Sequence, residues 1–402
     1  GGQANKKSAS REHHALALAA AFAVANSALL TAVNRAVPEA YMDEIFHVPQ
    51  AQAYCARQFH VWDDKITTLP GTYVLPAVAA AAWDALSPLL GVRAAGVEAI
   101  CSTAGLRAFN AAAGSLVPAV LFLILAARHP HEAMTNVALN ALAIALLPTC
   151  FFFHLVFYTD TLSTLTVLLG VLCAQHGRYA LAAAPLCAAI LVRQTNAVWL
   201  LYVLASGVLD YTAFEYKDPR QAVAAAVCGA HALPSHLPAL LVRFGPLVLG
   251  VIAFAAFLVA NAGVVVGDRS NHAPGFHGAQ ILYACAFTAA LGNPHCLSLG
   301  LLSTLAQSWR GVTHRPLTAG VWTASCAALV HWGTRCHPFL VADNRHFPFY
   351  IWQRVLAKPA LRYAAIPAYA LCGHVLWQSL SAHMETVRRA GFVLTVALVL
   401  VP

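Results

Sequence analysis

The run Tyr41-Met42-Asp43-Glu44-Ile45-Phe46-His47-Val48-Pro49-Gln50 sets two adjacent carboxylates and a histidine among apolar side chains. Charge in such surroundings is costly unless something pairs it or uses it. On a helix, neighbours point about 100° apart, so Asp43 and Glu44 cannot both address one atom of a substrate. Asp43 and His47 are four apart and can share a face. Three uses remain open: a solvated loop pair, a carboxylate held against an apolar wall as a general base, or a metal site. The last lacks the second histidine of a zinc helix motif. Pro49 suits the first position of a helix over Pro49–Phe59. Further polar knots follow: Trp62-Asp63-Asp64-Lys65, Tyr158-Thr159-Asp160, Arg193-Gln194-Thr195-Asn196, Gly267-Asp268-Arg269-Ser270-Asn271-His272 and Ala342-Asp343-Asn344-Arg345-His346. Each also has a plain structural use. Arg193 could pair with Asp160, Arg269 with its neighbour Asp268, and Asp343 to His346 could cap an interfacial helix. Tyr158 and the nearby Phe151–Phe153 read as lipid or core contacts.

Long apolar stretches position these knots. Charged residues are 10% of the 402 and hydrophobic ones 59%, against about 25% charged in soluble domains. The mean hydropathy is +0.65. Too little charge is present to wet a soluble surface, so the bilayer is the solvent and about 20 apolar residues make each spanning helix. The fold class expected is an all-α polytopic membrane protein, one transmembrane domain over 1–402. Lys6, Lys7 and Arg11 precede the first span, Ala15–Val33, which places the amino terminus in the cytosol. A large loop, 34–103, follows. Its apolar middle, Tyr73–Leu90, is broken by Pro76, Asp84 and Pro88, and is read as a helix at the lumenal membrane face. With that one assumption, parity places every mixed polar knot on the lumenal side, at 34–103, 158–160, 193–196, 267–280 and 338–358. Ten of the sixteen acids fall there.

The net charge of +8 does not indicate a nucleic-acid partner, because the basic residues sit singly between apolar segments rather than in patches. The eleven cysteines show no metal-ligand spacing and no CxxC. Cys150, Cys173, Cys187, Cys285 and Cys326 lie in apolar stretches, where a free thiol behaves as a small hydrophobe. No disulfide framework and no removable signal peptide are expected. A transporter is the main rival class; it predicts ionisable groups near mid-bilayer and internal repeats, and neither is seen.

The strings YMDEIFHVPQAQAYC and WDDKITTLPGTYVLP, then LVRQTNAVW, VVVGDRSNH and HPFLVADNRHFPFYIWQR, resemble in order the dolichyl-phosphate-glucose-dependent α-1,2-glucosyltransferases of asparagine-linked glycan assembly. The likeness runs from Tyr41 to the last span. It implies a GT-C type multi-span glycosyltransferase in the endoplasmic reticulum membrane, with a lumenal active site. The implied donor is dolichyl phosphate glucose. The implied acceptor is the diglucosylated dolichol-linked oligosaccharide, which receives its terminal glucose. The chain starts without Met and stops at Val401-Pro402, and is expected to be truncated relative to that family. A β-linked donor giving an α product implies inversion, with one base and a stabilised leaving phosphate. On this resemblance Asp43 is the expected base, with Glu44 and His47 orienting it or the acceptor. Arg193, Arg269 and Arg345, with His272 and His346, are the expected phosphate ligands, since a guanidinium fork matches phosphate oxygens. Asp160, Asp268, Asp343 and Asn344 complete the expected substrate site. No metal and no cofactor is expected.

Overall fold

A backbone in lipid must satisfy its own hydrogen bonds, and a helix does so within one segment. The described chain follows that rule: it is helical with no strand among the described residues. The computed structural model describes residues 2–88, 96–216, 233–269, 275–292, 310, 314–336, 341, 344, 347–384 and 386–400. They gather into two units, Gly1–His272 and Ala273–Pro402.

The first unit holds α1 (Gly2–Ala36), α2 (Glu44–Cys55), α3 (Gly71–Leu86), α4 (Gly96–Cys101), α5 (Thr103–Arg128), α6 (Met134–Ala145), α7 (Pro148–Phe151), α8 (Thr159–Gln175), α9 (Tyr179–Val192), α10 (Ala197–Tyr216) and α11 (Leu233–Ala260). Among the described residues, Ala9–Ala36, Thr103–Arg128 and Leu237–Ala260 are long and apolar enough to cross a membrane. Met134–Ala145 and Pro148–His154 form a bent pair, with 64° between the two pieces. Pro148 opens the second half, and the residue before a proline is kept out of the helical region.

α5 is the central post. It packs on α1, α6 and α8, and α8 leans on α9, which contacts α10 and α11. One apolar cluster fills the α1–α5–α6–α8 seam around Phe22, Phe122 and Leu165. A second, around Leu186, Leu200 and Leu247, fills the α9–α10–α11 seam. A third joins Val48, Ala51 and Tyr54 of α2 to Tyr73 of α3, Leu106 near the start of α5 and Phe157.

The large loop is therefore a packed layer over one end of the bundle. α2 begins at Glu44 with Pro49 inside it, not at Pro49 as expected. Pro49 is the sixth residue of the helix, so the missing N–H leaves one intrahelical bond, to the Ile45 carbonyl, unmade. α3 spans 16 residues and buries Thr72, Tyr73, Pro76 and Ala80. Val74, Leu75, Val78 and Leu86 are left exposed. That two-faced pattern agrees with a helix lying along the membrane face.

The second unit comprises α12 (Ala279–Gly292), α13 (Pro316–Gly333), α14 (Phe347–Ile351), α15 (Pro359–Ala364), α16 (Ile366–His383) and α17 (Thr386–Leu400), with a π-helical turn at Trp352–Leu356. α12, α13 and α16 pack around Leu282, Cys326, Val330 and Tyr369.

The cysteine expectation is corrected at one place. Cys55, ending α2, and Cys101, ending α4, form a disulfide with Cα atoms 6.5 Å apart. No spacing rule reveals a pair 46 positions apart, because the fold, not the interval, brings the two together. Cys150, Cys173, Cys187, Cys285 and Cys326 are free thiols. Alkylation of the denatured, unreduced chain should leave Cys55 and Cys101 unmodified, and a peptide map should find them linked. Replacing both with Ser should cost about 2–4 kcal/mol of stability, read as a lower thermal midpoint. Alkylation of both before reduction would contradict the bond.

Candidate active site

The site is built on the start of α2. Met42, a buried residue, has a φ of 57°. A bulky side chain rarely takes that left-handed conformation, so the surroundings must hold it there. The sharp turn separates the two carboxylates that follow. Glu44 is turned inward and is 0% exposed, and so is Arg107 of α5.

Their pairing is close to saturated. Arg107 donates from Nε to Glu44 Oε1 at 2.9 Å and Oε2 at 3.2 Å, and from Nη2 to Oε2 at 2.6 Å. Its other N–H groups reach the Glu39 carbonyl at 2.8 Å, Asn34 Oδ1 at 2.9 Å and the Val37 carbonyl at 2.7 Å. Glu44 also accepts from the amides of Tyr41 at 2.9 Å and Phe157 at 2.6 Å. One ion pair thus ties together the end of α1, the strap after it, α2, α5 and the turn before α8.

Asp43 is placed differently. It stands at the N-cap of α2, a position aspartate favours for its cap hydrogen bond. Yet its side chain makes none. Among the described residues, the Asp43 carboxylate has no hydrogen-bond partner, although its own amide donates to Tyr158 Oη at 2.6 Å. One turn on, His47 Nδ1 lies 2.6 Å from Tyr73 Oη. Burial lowers the His47 pKa from the usual value and Arg193 pushes the same way. Asp43, Asp160 and Glu44 oppose them. The net effect leaves His47 neutral at pH 7.

Arg193 and Asp160 complete this face. Arg193 Nη1 donates to Asp160 Oδ1 at 2.8 Å, with side chains 43% and 28% exposed. The pair expected as a structural possibility therefore exists, but it is open to solvent, unlike Glu44 and Arg107. Each partner is positioned from behind. Asn110 donates to the carbonyls of Val156 and Tyr158, both at 2.7 Å, and Thr161 to that of Phe153 at 2.7 Å. Asn196 donates to Ser163 Oγ at 2.7 Å and to the Ala189 carbonyl at 2.8 Å. Those bonds fix the turn into α8 and the break after α9.

Beside Arg193 two loops are stitched edge to edge. Gln194 donates to the carbonyls of Thr67 at 3.0 Å and Val264 at 3.2 Å. The Asp268 amide donates to the Asp64 carbonyl at 2.7 Å. Gly267 has a φ of 76°, and a Cβ there would collide with the Asp64 and Ile66 carbonyls. Only glycine permits that approach. Arg269, exposed, donates to Asn261 Oδ1 at 2.7 Å, rather than leaning only on its sequence neighbour. Lys65 lies 5.0 Å above the Phe46 ring.

The structure thus brings Asp43, His47, Asp160 and Arg193 to one face, sets Asp268 and Arg269 on the adjoining loop, and puts Glu44 behind. Asn344 is an exposed turn residue of the second unit. His272, Asp343, Arg345 and His346 lie outside the described residues. Sequence reasoning missed Arg107, whose signal was a lone arginine inside an apolar span. It also missed the phenols of Tyr73 and Tyr158, which no local pattern marks. No three His, Cys, Asp or Glu side chains come together as a metal site among the described residues.

The model of the DIE2/ALG10 family matches residues 37–402. A protein of Arabidopsis thaliana is 31% identical over 421 residues, covering 90% of this chain and 81% of the relative. One of Mus musculus is 33% identical over 381 residues, with 88% and 78% covered. A third, of Drosophila melanogaster, is 31% identical over 377 residues, with 89% and 78% covered. All three are named Dol-P-Glc:Glc(2)Man(9)GlcNAc(2)-PP-Dol alpha-1,2-glucosyltransferase. No solved structure matches.

Removing one member of a buried pair strands the other charge, which costs about 3–5 kcal/mol. Glu44→Gln and Arg107→Met should each lower the thermal midpoint in detergent sharply, and the two together should be less harmful than either single change predicts. Single variants as stable as the parent would show that the pair does not hold the layer.

Proposed function

We propose, from the premise that this chain belongs to the DIE2/ALG10 family, that it transfers glucose from dolichyl phosphate glucose to the diglucosylated dolichol-linked oligosaccharide, forming an α-1,2 linkage. The observation that carries the residue assignment is the difference among three acids. Glu44 is sealed against Arg107 and Asp160 is paired with Arg193, but Asp43 is uncommitted.

An inverting transfer needs one base. Asp43 takes the proton of the acceptor 2-hydroxyl as that oxygen attacks the anomeric carbon. The bond from that carbon to phosphate oxygen breaks, its electron pair stays on the phosphate, and dolichyl phosphate leaves. Arg193, half open to solvent, has N–H groups left beyond the one that Asp160 engages, and these meet the developing phosphate charge. A fixed cation aimed at the oxygen where charge develops stabilises the transition state. Arg269, on the stitched loop, stands next in line. His47, neutral and adjacent, orients Asp43 or the acceptor. Glu44 acts from behind and touches no substrate. The family's members named above are transferases, which favours this over a transporter. A monophosphate leaving group calls for no divalent ion, and full activity in excess chelator is the corresponding expectation.

The protein is multi-pass, and the site faces the lumen of the endoplasmic reticulum. Two features support that side. Loops of the first unit are joined to one another, as Gln194 joins Thr67 and Val264, and the Cys55–Cys101 bond belongs to an oxidising compartment.

Asp43→Asn should cut turnover by about 10²–10⁴-fold in an assay with a dolichyl phosphate glucose analogue and a diglucosylated acceptor. Arg193→Lys keeps the charge but loses the fork, so it should raise the donor KM more than the acceptor KM. An active Asp43→Asn moves the base elsewhere, with Asp160 and Asp268 next to test.

Cysteines introduced at the exposed positions Lys65 and Arg269 should resist a membrane-impermeant thiol reagent in sealed, right-side-out microsomes until detergent is added. Labelling of either without detergent would reverse the assigned side.

A further inference from the structure

Two phenols contact the start of α2. Tyr158 Oη accepts the Asp43 amide at 2.6 Å, and Tyr73 Oη lies 2.6 Å from His47 Nδ1. The His47 ring lies 5.6 Å from that of Tyr158 and 5.9 Å from that of Tyr73. Both tyrosines are buried. Phenylalanine would fill the same volume without a hydroxyl to satisfy, and a buried phenol needs a partner. Here the partners are the backbone of the proposed base and the ring next to it.

Asp43 needs such an anchor. It follows Met42, whose left-handed backbone is held in place by its neighbours, and it has no cap bond of its own. Tyr158 is itself fixed, since its carbonyl is held by Asn110 and its ring packs 5.2 Å from Phe153. Burial first, and then the negative charges of Asp43, Glu44 and Asp160, push the Tyr158 phenol above its ordinary value. The Tyr73 phenol is pushed up mainly by burial. Both stay protonated where a carboxylate base works. Because Tyr158 Oη takes the Asp43 amide proton, its own O–H points away from that amide. With His47 Nδ1 engaged by Tyr73, Nε2 is the ring nitrogen left for the site.

We infer that Tyr158 and Tyr73 are positioning residues for the transfer: Tyr158 fixes the backbone of Asp43 so that its carboxylate faces the acceptor hydroxyl, and Tyr73 fixes the ring of His47 beside it. The inference rests on Asp43 being the base. Neither tyrosine touches the reacting atoms in this account. Each acts by removing play from a group that must sit within a fraction of an ångström of its target, and a misplacement of about 1 Å can cost 10²-fold in rate.

The test is a cycle of four proteins: the parent, Tyr158→Phe, Asp43→Asn and the double variant, with Tyr73→Phe measured alongside. Tyr158→Phe should lower kcat by about 10–100-fold while both KM values stay within about twofold. In the Asp43→Asn background the same change should cost almost nothing, because residues that act as one unit are non-additive. Tyr73→Phe should lower kcat more mildly, again with little change in KM. A merely structural tyrosine would instead lower the folded fraction in both backgrounds by one factor, and that result overturns the inference. So does a Tyr158→Phe chain with parental kcat beside an inactive Asp43→Asn. If Tyr158→Phe cannot be purified folded, a Tyr73→Phe chain with parental kcat has the same force. An active Asp43→Asn fails in a different way: it removes the base assignment, and this inference with it.

Discussion

The layer packed over the helices of the first unit is tied together by one buried ion pair. Two charges taken out of water are a net cost unless good geometry and further hydrogen bonds repay it. Glu44 and Arg107 meet that condition by recruiting the surrounding backbone. The carbonyls of Val37 and Glu39, and the amides of Tyr41 and Phe157, all end on one pair. These groups come from a strap and a turn that have no regular structure of their own. Without the pair they would be unsatisfied under an apolar layer of Tyr73, Leu106 and Phe157. The pair thus does for irregular backbone what a ladder does for a strand.

The same interaction determines what its neighbours can do. Three carboxylates lie close together, and environment alone assigns them different work. Glu44 is neutralised by a dry guanidinium and serves the fold. Asp160 shares a guanidinium that is still open to water. Asp43, thrown outward by the turn at Met42, has no ion pair among the described residues. Anchoring Glu44 inward is what turns Asp43 outward, since the two point about 100° apart. In this sense the structural acid sets the direction of the proposed catalytic one.

Around that point the molecule repeats one tactic: polar side chains spent on backbone. Asn110, Gln194, Asn196 and Gln50 each donate to carbonyls of chain breaks. Such bonds cost little mobility in the spans but remove it from the loops between them. The Cys55–Cys101 bond adds a covalent limit at the far end of α2. α2 is consequently held at its start by the ion pair and two phenols and at its end by sulfur. α3 completes the arrangement, since its Tyr73 reaches His47 while its neighbours Val74 and Leu75 stay exposed. Close packing brings α3 to the break after α9: a Cβ at Gly71 would lie 2.6 Å from the Leu191 carbonyl. Arg193 follows two residues later.

The sequence by itself determined the solvent and the class of element. Hydropathy and length are local quantities, and a bilayer makes them decisive. Asp43, His47 and Arg193 were legible because a charge in an apolar run has few uses. The broken hydropathy of α3 was legible too, with Pro76 and Asp84 inside it. What remained hidden was partnership. Arg107 looked like a stray cation in α5 until folding set it against Glu44, 63 positions away. Cys55 and Cys101 had no spacing to announce them, and Tyr158 read as apolar filling. Only the tertiary structure could separate Asp43 from Glu44, for these adjacent acids are nearly equivalent in the chain. They differ in burial and in the charge each meets, and both follow from how distant segments pack.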